Sequence, residues 1–360
     1  LNAPNSFHPR SEYEYVYEYE YEKGVVELRS MLQRILGCLY GQALGDAWAM
    51  PALLRPNDTW EYYGGWLTRF HPGPPHHPVH AGLPPGRVTD DTEQAFALAQ
   101  AIIADRGVTA AGAARAVVAW YERVGGEACP YVGPSTRRAV LAIKAGGDLK
   151  ATGLRGDTNG AAMRVAPVGL IHPRRVEAAA RDAAISCIPT HNSDVAASGA
   201  AAVAGAIAHA MTPAATLDEI IAAGVAAAEL GRALAPAWMG ASIARRIALA
   251  VEIARSPLSE RARLQELYDV VGATLSMSES VPAAFGVLVM AQGDPQQAAI
   301  YAANLSGDAD TIGAMACAMA GAWRGASAFA PDVIATLRAA NPELDFDGVA
   351  VGLAGLISNW

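Results

Sequence analysis

From Val25 onward the chain is written almost entirely in Ala-rich segments of helical period, cut by Gly and Pro, with almost no run of alternating β-branched residues. A chain of this kind has little to build with except helices packed on helices. The stretch 195–211 is the extreme case: Ala, Gly and aliphatic residues interrupted only by Ser198 and His209. It is too short and too weakly hydrophobic to span a bilayer, and predicts a helix buried on all sides. The same pattern predicts helices over 26–45, 92–105, 195–211, 258–277 and 311–323, among others. No Ser/Gly-rich linker and no fixed-length repeat interrupts the series. The expected fold is all-α, a single compact, orthogonal multi-helix domain over 25–360.

Composition narrows the function. Apolar types make up 52% of the 360 residues and charged types 17%, so most of the chain should be folded. A net charge of −8 without a run of Lys or Arg opposes nucleic-acid binding, and nothing resembles a membrane anchor. Cys38, Cys129, Cys187 and Cys317 are scattered without metal-ligand spacing and read as free thiols. With no leader-like opening, a reducing cytoplasm is the expected compartment.

Two segments stand apart. Over 11–23 Tyr and Glu alternate with the period of a strand, but a lone strand is not stable without a sheet to join. Residues 1–24 read as a low-complexity, mobile arm, with docking on a second protomer as the sharper alternative. Between Pro51 and Val88 lies an irregular insert containing H-P-G-P-P-H-H-P-V-H (71–80). Its prolines oppose helix, its histidines read as surface rather than metal ligands, and its length suggests a wall of the active site.

Three short segments carry candidate chemistry. In G-C-L-Y-G-Q-A-L-G-D, Gly37, Gly41 and Gly45 fall four apart on one helix face, which suits close packing against another helix, and Asp46 follows as a loop acid or one aimed at a site. In T-D-D-T, Thr89, Asp90, Asp91 and Thr92 open a helix, where N-capping needs one such residue and two adjacent carboxylates repel. In S-G-D-A-D-T, Asp308, Asp310 and Thr311 repeat the arrangement. Two acidic helix starts read as halves of one oxygen-ligand site for Mg²⁺ or Mn²⁺.

With N-G-A-A-M-R at 159–164 between them, these motifs in this order resemble the ADP-ribosylglycohydrolase family over roughly 32–325. The resemblance implies two Mg²⁺ or Mn²⁺ ions and hydrolysis of the glycosidic bond at C1 of an ADP-ribosyl group. It implies that Thr89, Asp90, Asp91, Asp308, Asp310 and Thr311 are metal ligands, the four aspartates being catalytic through the ions. Asn159, Gly160 and Met163 match a segment along the ADP-ribose phosphates and ribose. Asp46, Glu93 and His191 complete the substrate-binding set. The expected partner is an ADP-ribosylated protein or a small ADP-ribosyl compound. One departure is Leu53, where many members carry Glu, and it favours the smaller substrate. The alternatives are hydrolysis of a nucleoside-type N-riboside and a catalytically silent relative that only binds.

Overall fold

The computed structural model describes residues 12–357, with side chains from residue 27 onward. Among the described residues there are seventeen α-helices and no strand beyond one isolated bridge, Thr158 to Ser276. In chain order they are α1 (Glu12–Ala49), α2 (Pro56–Tyr63), α3 (Asp90–Asp105), α4 (Ala110–Arg123), α5 (Pro134–Lys144), α6 (Leu149–Thr152), α7 (Ala166–Leu170), α8 (Val176–Cys187) and α9 (Asp194–Ala210). The series continues with α10 (Leu217–Ala233), α11 (Ile243–Arg255), α12 (Glu260–Glu266), α13 (Met277–Met290), α14 (Pro295–Leu305), α15 (Ala309–Arg324), α16 (Pro331–Ala340) and α17 (Phe346–Ala354). The all-α expectation holds. No helix is long and apolar enough to cross a membrane.

The sequence reading differs from the fold in four places. The Tyr/Glu alternation suggested strand period, yet the backbone from Glu12 on is helical and continuous with α1. Once 26–49 is helical, extending it adds one hydrogen bond per residue fixed, and Glu is a good helix former. The expected mobility or docking of the arm concerns residues 1–11 and side chains up to residue 26, outside the described set. Second, the helix expected over 258–277 is broken. After α12 the chain makes a π turn (Leu267–Val271) and reverses at Gly272 (φ 92°), where a Cβ would lie 2.5 Å from Glu279 Cδ. Third, the insert contains α2, because Pro56 stands at its first turn, where a missing N–H costs nothing. Fourth, α6, α7 and α17 have no counterpart among the expected helices.

The packing of α1 on α15 organises the molecule. A Cβ built on Gly37 would lie 2.3 Å from Gly321 O, one on Gly41 2.0 Å from Cys317 O, and one on Gly45 2.0 Å from Gly313 O. The paired numbers rise on one helix and fall on the other, so the helices run antiparallel with backbones in contact. The small-residue face was therefore a packing face, and it brings the end of α1 beside the start of α15. Gly41→Val should destabilise the protein by about 1–3 kcal/mol or more, since backbone carbonyls cannot yield as side chains do. Urea titration against wild type measures it.

Helix α9 is the centre of the core, buried along nearly its whole length as expected. The four cysteines are free and buried. The insert folds back over the end of α1: Tyr63 donates to Pro51 O at 2.9 Å, while His77 Nε2 meets Ala52 O at 2.9 Å and His80 Nδ1 meets Met50 O at 3.1 Å. Its far end is tied down by Asn341, whose side-chain oxygen accepts from the Val88 N–H, and by the Arg87–Glu343 ion pair.

Candidate active site

Both acidic turns stand at helix N-termini, and in neither does the side chain of the N-cap residue make the cap. In α3 the cap comes from Asp46 on α1. Its carboxylate accepts from the N–H of Thr89 (3.0 Å) and Thr92 (3.1 Å) and from the hydroxyls of Thr89 (2.9 Å) and Thr92 (2.6 Å). Asp90 and Asp91 are thereby released from capping. At α15 the N-cap residue Asp308 makes no side-chain cap, and its carboxylate instead accepts from Asn159 Nδ2 at 2.5 Å.

The segment 273–277 joins the Asn159 turn to the Asp308 turn. The N–H groups of Asn159 and Met277 donate to Leu275 O (3.0 Å) and Asp157 O (3.1 Å), and the Asp308 N–H donates to Ala273 O (2.8 Å). Gly307 (φ 73°) fits here because a Cβ would lie 2.2 Å from Ala273 O. On the other side Gln42 of α1 donates to Met163 O (2.8 Å) and Asp91 O (3.3 Å). The end of α1 thus fixes α3, α15, the 159–163 segment and the insert relative to one another.

These elements enclose a cavity of about 430 Å³. Asp90, Asp91, Asp308, Asp310 and Thr311 line its acidic end together with Asn159, Gly160 and Met163, while Tyr131, Val132, Tyr268 and Leu275 provide apolar wall. The insert contributes His77, Val79 and His80, as its length suggested. No Lys or Arg lines the cavity among the described residues.

Two buried carboxylates, Asp91 and Asp310, and two half-buried ones, Asp90 and Asp308, strain one another without a cationic neighbour in the cavity. Asp90 and Asp91 are held well above the ordinary carboxylate range, first by burial and then by neighbouring acids, among them Asp46 and Asp308. Asp310 is raised in the same way. Asp308 is pushed up to about 6 by burial, less than the others because Asn159 and Thr311 hydrogen-bond to its charged form. Asp91 Oδ1 is fully buried and has no hydrogen-bond partner. A vacant carboxylate oxygen amid uncompensated negative charge is what a divalent cation satisfies, and the donors are hard oxygens suited to Mg²⁺ or Mn²⁺. As they stand, no three acid, imidazole or thiol groups among the described residues converge as a ready cage. They form a ligand set that an ion would draw together.

Several expected site residues stand behind the cavity. Thr89 is fully buried, its hydroxyl between Asp46 Oδ1 and Asp91 Oδ2. Asp46 does not reach substrate space, because its oxygens are taken up by Thr89 and Thr92. Glu93 is buried but turned toward α4, accepting from Arg87 Nη2 (2.6 Å) and Trp120 Nε1 (2.9 Å). At about 100° per residue, position 93 lies about 200° round the helix from Asp91, and its carboxylate reaches Trp120 rather than the cavity. His191 lies against Gly160 from behind, with Nδ1 2.8 Å from Thr190 Oγ1 and Nε2 3.0 Å from Thr158 Oγ1. Asp46, Glu93 and His191, expected as substrate contacts, thus stand outside the cavity wall with their polar atoms engaged by neighbouring groups. Glu93→Gln should keep the Trp120 contact and leave KM within about twofold of wild type, with a modest loss of stability from the lost Arg87 pair. Steady-state kinetics beside thermal melting separate the two effects.

The sequence reading missed a polar chain behind the acids. Gln94 Nε2 donates to Asp90 Oδ2 (3.1 Å), and Gln94 Oε1 accepts from Arg164 Nη1 (2.8 Å). Arg164 Nη2 donates to Thr190 Oγ1 (2.5 Å). Arg164 is 1% exposed. A buried guanidinium without a carboxylate in direct contact serves as distant countercharge to the cluster. The available signal was an Arg and a Gln inside otherwise apolar segments. His80, dismissed as surface, is also buried, with Nε2 3.3 Å from Asp310 Oδ2. Leu53, at the usual Glu position, contributes backbone: its carbonyl accepts from the Gly307 N–H at 3.2 Å.

Comparison with known proteins agrees with this architecture. The sequence model of the family described as ADP-ribosylglycohydrolase matches residues 28–358. The uncharacterised Escherichia coli protein YegU is 38% identical over 324 residues, covering 89% of this chain and 96% of its own. An uncharacterised protein from Archaeoglobus fulgidus is 31% identical over 303 residues, covering 83% and 89%. A solved structure described as an ADP-ribosylglycohydrolase-related protein complex superposes with a TM-score of 0.63 at 25% identity, covering 91% of this chain and 99% of its own.

Proposed function

Since the chain belongs to the ADP-ribosylglycohydrolase family, we propose that it is a divalent-metal-dependent hydrolase that cleaves a glycosidic bond at C1 of a ribosyl group, with ADP-ribosyl compounds as the first substrate class. The observation that carries this reading is the buried, unpartnered Asp91 Oδ1 within a cluster of four cavity-lining aspartates. Asp90, Asp91, Asp308, Asp310 and Thr311 would hold two Mg²⁺ or Mn²⁺ ions, with Thr89 supporting Asp91. When bound, such ions supply Lewis-acid polarisation and lower the pKa of a water.

The protein's own groups supply the rest. Breaking the C1 bond builds positive charge on the sugar ring, and preorganised carboxylates in a low-dielectric cavity stabilise it without reorganising. Asn159 holds Asp308 in one orientation, and Gly160 has no Cβ to meet the His191 ring, whose Cε1 would lie 2.9 Å from it.

A second reading is favoured by one observation. A diphosphate would find no Lys or Arg on the cavity wall, so a smaller N-riboside of nucleoside type suits the charge pattern better than a full ADP-ribosyl group. Incubation with ADP-ribosylated proteins, ADP-ribose conjugates and nucleosides, with Mg²⁺ or with EDTA, distinguishes these. Metal-dependent release of ADP-ribose supports the first reading and release of a free base or ribose supports the second. Tight binding without turnover of any of them overturns both and leaves a silent binding relative.

A further inference from the structure

The insert was expected to border the active site, and it also delivers an imidazole to the acids. His80 comes from the loop before α3 and is 6% exposed. Its Nδ1 lies 3.1 Å from Met50 O, and a carbonyl can only accept, so Nδ1 carries the hydrogen and Nε2 presents a bare lone pair. That lone pair faces Asp310 Oδ2 at 3.3 Å, and with the carboxylate ionised two acceptors stand opposite each other. The ring is not free to turn away. His77 stacks on it at 4.9 Å and 15°, and is itself fixed by Ala52 O on one side and by the Val79 and His80 N–H groups on the other.

We propose that His80 supplies Nε2 as a nitrogen ligand to the ion held by Asp310, which makes that position selective for Mn²⁺ or a similar transition ion over Mg²⁺. This rests on reading the four aspartates as a cation site. Two ligands about 2.1 Å from one ion and at right angles lie about 3.0 Å apart, close to the separation of Nε2 and Oδ2. A metal-bound histidine characteristically donates its other N–H to a backbone carbonyl, as His80 does to Met50. Imidazole nitrogen favours first-row transition ions, whereas Mg²⁺ keeps to oxygen. Among the described residues the other imidazole on the cavity wall, His77, has both nitrogens engaged within the loop.

The test uses the full chain freed of metal by chelation, then titrated calorimetrically with Mn²⁺ and with Mg²⁺, together with pulsed EPR of the Mn²⁺-loaded protein. Wild type should show ¹⁴N modulation from a directly bound imidazole. His80→Ala and His80→Gln should lose that modulation and bind Mn²⁺ about tenfold or more weaker, with Mg²⁺ affinity changed much less. Mn²⁺ binding without ¹⁴N modulation in wild type overturns the proposal while leaving the acidic cation site standing, and needs no variant to fold. No uptake of either ion by wild type overturns both together.

Discussion

Asp310→Asn should reduce turnover by about 10²–10³-fold or more while raising the melting temperature of the metal-free protein. The two effects have one cause. Asp310 is raised first by burial and then by Asp308, Asp46 and Asp90, so removing its charge relieves both the desolvation cost and the repulsion that the metal-free protein must otherwise tolerate. The amide keeps the shape of the carboxylate and can donate to His80 Nε2, so no buried acceptor is left facing another. Catalysis loses a ligand and a stabilising charge where electrostatic preorganisation matters most. Turnover assays and thermal melts with and without Mg²⁺ check this. A variant that melts lower without metal, or keeps wild-type rates, contradicts the role assigned to the cluster.

Stability of the metal-free protein should fall as pH rises, the reverse of ordinary acid denaturation. For Asp308 the folded value of about 6 lies above the ordinary 3.8, so the folded state binds the proton more tightly than the unfolded chain. The associated stability is fully present below about 3.8 and is lost as pH climbs through about 6, on the order of 3 kcal/mol for this one group. Asp90, Asp91 and Asp310 are raised in the same direction and extend the loss above that window. Saturating Mg²⁺ or Mn²⁺ near neutral pH should reverse it, because a ligand that binds only the folded state stabilises it. Denaturant melts across pH 4.5–8, with metal and with EDTA, read the effect directly. A metal-free protein equally stable throughout would remove the basis for an uncompensated acid cluster.

Much of this molecule can be read from local pattern. The expected 92–105 and 311–323 helices fall within two residues of α3 and α15, because Ala-rich periodic runs bounded by Asp, Thr, Gly and Arg state their own ends. Helix α17 escaped because its sequence, F-D-G-V-A-V-G-L-A, holds two glycines in nine residues and has weak intrinsic propensity. It forms where Phe346 packs 4.9 Å from Tyr40 and 5.0 Å from Phe96, contacts with residues about three hundred and two hundred and fifty positions away. The π turn at Leu267–Val271 was hidden for a similar reason, since periodicity cannot show that the next helix must start at a new angle.

The sequence alone determined the all-α class, the Gly37, Gly41 and Gly45 packing face, and the two acidic helix starts, each of which depends on residues close together in the chain. Which side chains enter the cavity was decided only by tertiary structure. Asp46 reads like any site acid until α1 is laid beside α3, where it becomes the remote cap that frees Asp90 and Asp91. Glu93 stands two residues beyond those acids but is turned to Trp120 and Arg87, and His80 looks like loop surface until Met50 and Asp310 lie on either side of it. The reason is physical: helix period and capping act over a few residues, whereas the role of a polar side chain depends on which donors, acceptors and charges long-range packing places around it.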